Sequence, residues 1–300
     1  MTVRQAYQDT IRLLREGQVE EPDSQAHWLF SHFFGLSRPQ RALHASDLLS
    51  DEKLRLLRQA ITRRIAGEPL QYILGEWTFM DIPLKVGPGV LIPRDDTEVC
   101  VRSCIERLQS AGLVPGRILD LCAGSGAIAL AMADRYPEAE VTALEAMPEA
   151  FAYLRQNCSA FPAVRPTAGD LFTDFRLFPE SYFDVILSNP PYVASKELSS
   201  LPREVQQEPA AALDGGEDGL RFYRAIVSCW LPRLRPGGVL SLEIGEDQAE
   251  AVMSLLAHAG ADSPLLHRDL SGLPRCVTAQ RPQASASATG LSRNSTDMTI

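Results

Sequence analysis

The sequence predicts an α/β protein: a mostly parallel sheet with helices on both faces, preceded by a small N-terminal helical bundle and a linking β-hairpin. Three observations carry this. Beyond residue 116, strand-length apolar runs alternate with helix-length amphipathic ones. Up to residue 70 the apolar residues recur at helical spacing. Between the two stretches, glycines and prolines break the chain around short β-prone runs.

In the first stretch, Leu54, Leu57, Ile61 and Ile65 share one face of a helix. Earlier helices are expected around Ile11 with Leu14, and around Trp28, Leu29 and Phe33, punctuated by Pro22 and Pro39. From Tyr72 to Ile92 the helical period is lost, and Trp77-Thr78-Phe79 and Ile82–Val86 read as a hairpin. Strands are then expected at 117–121, 139–145, near 164–168, and at 183–188, 238–244 and near 275–280. Helices are expected at 125–134, 148–158, 219–231 and 247–259. The predicted domains are a helical domain at 1–70, a hairpin linker at 71–95, an α/β domain at 96–282, and a disordered Ser/Ala/Thr-rich tail at 283–300.

Composition excludes several classes. An apolar share of 45% with 22% charged residues is that of a chain with a buried core. No apolar run is long enough to cross a membrane, and the first residues lack the apolar core of a secretory leader. The six cysteines are scattered, with no Cys-x-x-Cys pair, which predicts no disulfide scaffold or zinc site, and a cytoplasmic location. Charge is unevenly spread: 11 basic and 11 acidic residues over 1–85, against 17 basic and 26 acidic over 86–282. That acidic half argues against a nucleic-acid groove. The expected state is a monomer with no metal.

Two loops carry the chemistry. Ile118–Leu121 reads as a buried strand that runs into Cys122-Ala123-Gly124-Ser125-Gly126. Glycines at a helix start let the backbone approach a ligand closely. Gly124-x-Gly126-x-x-Ala129, with Glu145 at the end of the next strand, fits a nucleotide fingerprint shared by NAD enzymes and methyltransferases. Asp120 favours the second, because a carboxylate there repels a pyrophosphate but attracts the ammonium of S-adenosylmethionine. In both readings Glu145 accepts from ribose hydroxyls. Asp170 suits either the exocyclic amine of adenine or an ordinary turn.

The second loop, Asn189-Pro190-Pro191-Tyr192, follows the strand Phe183–Leu187. Two prolines stiffen it. The Asn189 side-chain oxygen and the Pro190 carbonyl can together accept both hydrogens of a planar –NH2 group, and Tyr192 offers a face for stacking. Such a site suits methylation of an amide or aryl-amine nitrogen, with Asn189, Pro190 and Tyr192 as the catalytic set.

With these segments, and with Gly67-Glu68-Pro69-Leu70-Gln71-Tyr72, Val90–Arg94, Thr97-Glu98, Asp214–Leu220, Phe222-Tyr223 and Pro236-Gly237-Gly238, the chain resembles the protein-glutamine N5-methyltransferases of the PrmC/HemK type. The resemblance runs from about residue 67 to 278. It implies a class I methyltransferase (Rossmann-like) fold and methyl transfer from S-adenosylmethionine, leaving S-adenosylhomocysteine. The acceptor implied is the glutamine of the Gly-Gly-Gln motif in class I peptide-chain release factors, with the helical domain gripping the partner. Cofactor contacts carry over to Asp120, Cys122, Ala123, Gly124, Ser125, Gly126, Glu145, Asp170, Leu171 and Asn189. Substrate contacts carry over to Asn189, Pro190, Pro191 and Tyr192. Cys122 stands where the family usually has Gly, Glu145 where it usually has Asp, Asp95 where a second Pro often follows Arg94, and Leu171 where some relatives have Trp. Rivals are amine methyltransferases of DNA or RNA, a ribosomal-protein glutamine methyltransferase, an NAD dehydrogenase, and a non-enzymatic cofactor-binding module.

Overall fold

Helices α1 (Val3–Glu16), α2 (Pro22–Phe34), α3 (Arg38–Leu43), α4 (Asp51–Ile65) and α5 (Leu70–Leu74) form the N-terminal bundle in the computed structural model, which describes residues 1–283. From residue 284 on, the tail expected to be disordered lies outside the described residues. Thr2 and Ser50 cap α1 and α4 by accepting from Gln5 N and Lys53 N. The helices close on Leu14, Leu29, Phe30, Leu54 and Leu57, all buried. Helix α5 straddles the expected boundary at residue 70. Its Leu70, Ile73 and Leu74 pack into the bundle core.

The hairpin, β1 (Glu76–Phe79) with β2 (Ile82–Lys85), is where it was expected but is not a free linker. Phe79, Ile82, Leu84 and Val86 are buried in the core of the α/β domain. Asn157 clamps the hairpin, its Oδ1 accepting from Lys85 N at 2.7 Å and its Nδ2 donating to Lys85 O at 3.0 Å.

Helix α6 (Thr97–Ser110) follows, then β3 (Arg117–Leu121), α7 (Ala127–Arg135), β4 (Glu140–Glu145), α8 (Pro148–Cys158), β5 (Val164–Ala168), β6 (Phe183–Ser188) and α9 (Arg221–Ala225). Strand β7 (Leu234–Glu243), α10 (Ala249–His258), β8 (Asp262–Arg268) and β9 (Pro274–Gln280) complete the described chain. The seven-stranded sheet has the order β5-β4-β3-β6-β7-β9-β8, and within it β9 alone runs antiparallel. Sequence order reverses on either side of β3, which opens a crevice at the strand C-termini between β3 and β6. Leu121 and Ser188 are paired across those strands, so the loops that follow them lie side by side.

Several elements depart from expectation, the short α3 and α5 among them. The run 219–231 is a short α-helix that widens into a π-turn at Ile226–Trp230, and this buries Tyr223, Ile226 and Trp230 together. Helix α6 was not expected, since its Thr97, Val99, Cys100, Val101 and Cys104 are weak helix formers. Strand β8 was missed as well: it is a largely exposed edge strand with Pro264 in it, so it lacks a clean alternation.

Candidate active site

The strand ends converge on one cavity of about 440 Å³. Its lining includes Cys122, Ala123, Gly124 and Ser125 after β3, Glu145 ending β4, Asp170 and Leu171 after β5, and Asn189 and Pro191 after β6. Four sequence-predicted residues do not line it. Asp120 lies buried beneath the glycine loop, where its Oδ2 accepts from Ala129 N at 3.0 Å. Gly126 caps α7 at φ +90°, and a Cβ there would sit 2.8 Å from Leu154 Cδ1. Pro190 is buried within the loop, and Tyr192 turns its hydroxyl to Glu243 Oε1 at 3.5 Å. Its partly buried ring packs against the core around β7.

Glycine-loop geometry is set by Glu145. Its Oε2 accepts from Gly124 N at 2.8 Å and its Oε1 from Met147 N at 2.7 Å, which leaves further lone pairs on both oxygens. Burial raises its pKa, and the backbone N–H groups oppose that rise. Cys122 adopts φ +59°, a left-handed conformation that glycine takes without steric cost. Asp120 Oδ1 is buried with no hydrogen-bond partner, and burial holds its pKa well above the usual carboxylate range.

Around Asn189 the second loop is held on three sides. Asn189 Nδ2 donates to Thr97 Oγ1 at 3.1 Å. Gln248 Nε2 donates to the Tyr192 carbonyl at 2.9 Å. The Asp214–Leu220 run folds back on the loop: Gly215 N donates to Val193 O at 2.8 Å, and a Cβ on Gly215 would meet Tyr192 Cα at 2.8 Å.

Several lining residues escaped the sequence reading. Gly89, Leu91, Pro93 and Thr97 come from the segment taken as linker and from the first turn of α6. That segment is fixed by the buried Glu208, whose Oε2 accepts from Ile92 N at 2.9 Å while Oε1 pairs with Arg94. Phe172 and Phe222 also line the cavity, with ring centroids 5.0 Å apart. The Gly/Pro punctuation of 87–93 was the available signal for the first group. Phe222 stands in the Phe222-Tyr223 pair that the resemblance includes, to which no site role was attached.

Comparison with known proteins adds to this geometry. Residues 5–75 match the PrmC N-terminal domain and residues 94–217 the methyltransferase small domain. The chain is 40% identical to the release factor glutamine methyltransferase of Moorella thermoacetica, over 94% of this chain and 99% of that one. The chain belongs to the release factor glutamine methyltransferase family. A second member, from Geobacter sulfurreducens, is 39% identical over 92% of this chain and 95% of its own. The solved hMettl16 catalytic domain, in complex with MAT2A 3'UTR hairpin 1, is 15% identical with a TM-score of 0.54 and covers 88% of this chain and 95% of that chain. That last likeness is one of fold, the class I methyltransferase fold built above.

Proposed function

We infer that this protein transfers a methyl group from S-adenosylmethionine to the side-chain amide nitrogen of the glutamine in the Gly-Gly-Gln motif of peptide-chain release factors. The observation that carries the reading is the meeting of Glu145 and the glycine loop with Asn189 in one cavity, in a chain of this family. The residues present fit the cofactor. Spare lone pairs on Glu145 suit two ribose hydroxyls, the orphaned Asp120 Oδ1 suits an ammonium, and Leu171 with Phe172 gives the adenine an apolar wall beside Asp170. When bound, S-adenosylmethionine supplies a methyl group made electrophilic by its sulfonium.

The chain's own part is positioning. With Nδ2 committed to Thr97, Asn189 Oδ1 is free to accept one hydrogen of the target amide, and the Pro190 carbonyl accepts the other. Holding both hydrogens in the amide plane directs the nitrogen lone pair out of it, where it can attack. The nitrogen sheds a proton as it gains the methyl, so no strong base is needed. Pro191, Pro93 and Leu91 keep the cavity wall apolar and limit water around the reacting atoms.

A direct test supplies tritium-labelled methyl donor with a purified release factor and with a version whose Gly-Gly-Gln glutamine is replaced by alanine. Label should enter the first and not the second. Equal labelling of both would overturn the reading, and an NAD titration that outcompetes S-adenosylmethionine would favour a dehydrogenase.

A further inference from the structure

The proline pair at the centre of the Asn189 loop cannot hold itself in place. Pro190 and Pro191 have no N–H to donate, and no donor among the described residues reaches the Pro190 carbonyl. Ring closure fixes φ at both prolines, so this carbonyl turns only with the peptides that flank the pair. The upstream end is anchored by Ser188, whose Oγ donates to Leu121 O at 2.7 Å, and by the Asn189 bond to Thr97. The downstream end begins at the Tyr192 carbonyl, which accepts from Gln248 Nε2 at 2.9 Å.

Gln248 stands half-buried in the turn between β7 and α10. Its amide can face only one way. Gly245 N donates to Oε1 at 3.0 Å, while Nε2 reaches Tyr192 O and, at 3.3 Å, Gly219 O. A flipped amide would set –NH2 against an N–H and its oxygen against two carbonyls. Gly219 leaves room for the contact. It sits at φ +72°, and a Cβ there would lie 2.6 Å from Gln248 Nε2 and closer still to Tyr192 O. Gln248, Tyr192, Gly219 and Gly245 all stand outside the cavity lining.

We propose that Gln248 is a positioning residue for methyl transfer: by holding the Tyr192 carbonyl, it aims the Pro190 carbonyl at the target –NH2. The inference rests on the Pro190 carbonyl accepting one hydrogen of that amide. Without Gln248 the loop keeps its upstream anchors and Asn189, but one of the two acceptors swings away. The amide is then held by a single hydrogen, and its nitrogen lone pair samples directions away from the methyl group. Cofactor binding is spared, because Gln248 does not border the cavity.

The loop carries its own reporter. Pro190-Pro191 is the only Pro-Pro pair in the sequence. In deuterated protein carrying ¹³C-carbonyl, ¹⁵N-proline, a one-bond carbonyl–nitrogen correlation therefore arises from the Pro190 carbonyl alone.

The experiment follows this signal in the S-adenosylhomocysteine complex as a purified release factor is added, beside single-turnover rates with S-adenosylmethionine. In the wild type the signal should move downfield, and a release factor with alanine for the Gly-Gly-Gln glutamine should leave it in place. Gln248→Glu keeps the acceptor for Gly245 N but loses both donors. It should bind S-adenosylhomocysteine as the wild type does, and its saturated rate should fall by about tenfold or more. KM for the release factor should change far less, and the Pro190 signal should stay nearly still. Gly219→Ala, which crowds the same contact from the other side, should behave alike, and it decides by the same criteria if Gln248→Glu does not fold.

A Gln248→Glu protein with wild-type rate, or one whose Pro190 signal still moves in full, overturns the inference. So does a lost rate matched by an equal loss of S-adenosylhomocysteine affinity, which marks a purely structural residue. A wild-type signal indifferent to the release factor, with transfer intact, removes the Pro190 acceptor and this inference with it, while the proposed activity stands. Absence of transfer by the wild type removes the activity itself.

Discussion

The helical bundle and the catalytic cavity are built on opposite principles. The bundle buries Leu14, Leu29, Phe30 and Leu57 against one another, and its buried charged groups are bonded: Arg41 reaches Leu36 O, and Arg64 reaches Gln25 and Glu204. The catalytic half buries Asp120, Glu145, Glu208 and Glu243, and the two orphaned side-chain atoms among the described residues, Asp120 Oδ1 and Glu243 Oε2, both lie there. Burying a carboxyl without full hydrogen bonding costs stability. One region therefore spends its interior on cohesion, and the other leaves carboxyl oxygens unsatisfied beneath the loops that line the cavity.

That contrast can be broken by substitutions that should move stability and chemistry separately. The largest effect is expected for Phe30→Ala, which empties a fully buried site and should cost about 3–5 kcal/mol in urea unfolding while leaving cofactor affinity in the folded protein unchanged. Asn189→Ala should do the reverse. Loss of one oriented acceptor at the reacting group should slow transfer by about 2.7–4 kcal/mol of activation free energy, with little change in the melting temperature. Equal losses of stability in the two variants would erase the distinction.

Glu243→Gln sharpens it further. A carboxyl whose folded-state pKa is raised from its ordinary value to about 7 stabilises the fold below that ordinary value, and loses this contribution as pH rises through 7. The glutamine variant should match the wild type in acid and exceed it by up to about 3 kcal/mol at pH 8, measured by denaturant titration at several pH values. Glu145→Ala should come next. Removing the acceptor for Gly124 N and Met147 N should weaken S-adenosylmethionine binding by about 1.5–3 kcal/mol by calorimetry. The smallest effect belongs to Trp28→Ala. Trp28 is 45% exposed and packs on Trp77 with centroids 5.3 Å apart, so stability should shift by less than about 1 kcal/mol. The KM for an intact release factor should rise, and that for a Gly-Gly-Gln peptide should stay the same.

The two regions also differed in how much their residues disclosed. Strands β3, β4 and β6 are apolar runs ending in loop signals, so the convergence of Gly124, Glu145 and Asn189 was readable from strand order at a switch point. Asp120 and Tyr192 do not border the cavity: Asp120 is buried beneath the glycine loop, and the Tyr192 hydroxyl points to Glu243. Strand periodicity says which residues alternate, not how far a loop folds over them. Leu91, Pro93 and Glu208 went unassigned because their part depends on a contact between segments more than a hundred residues apart. Glu243 was detectable in principle, as a carboxylate closing the apolar run Val239-Leu240-Ser241-Leu242. In the bundle, α4 declared its buried face through Leu54, Leu57 and Ile61, while α3 is too short for a period to show.

Tandem mass spectrometry on a release factor incubated with this protein and S-adenosylmethionine tests the central claim most directly. One added methyl group, assigned by fragmentation to the side-chain nitrogen of the Gly-Gly-Gln glutamine and absent when Asn189→Ala replaces the wild type over the same interval, is the predicted result. An unmodified glutamine, or a methyl group on any other residue, would contradict it.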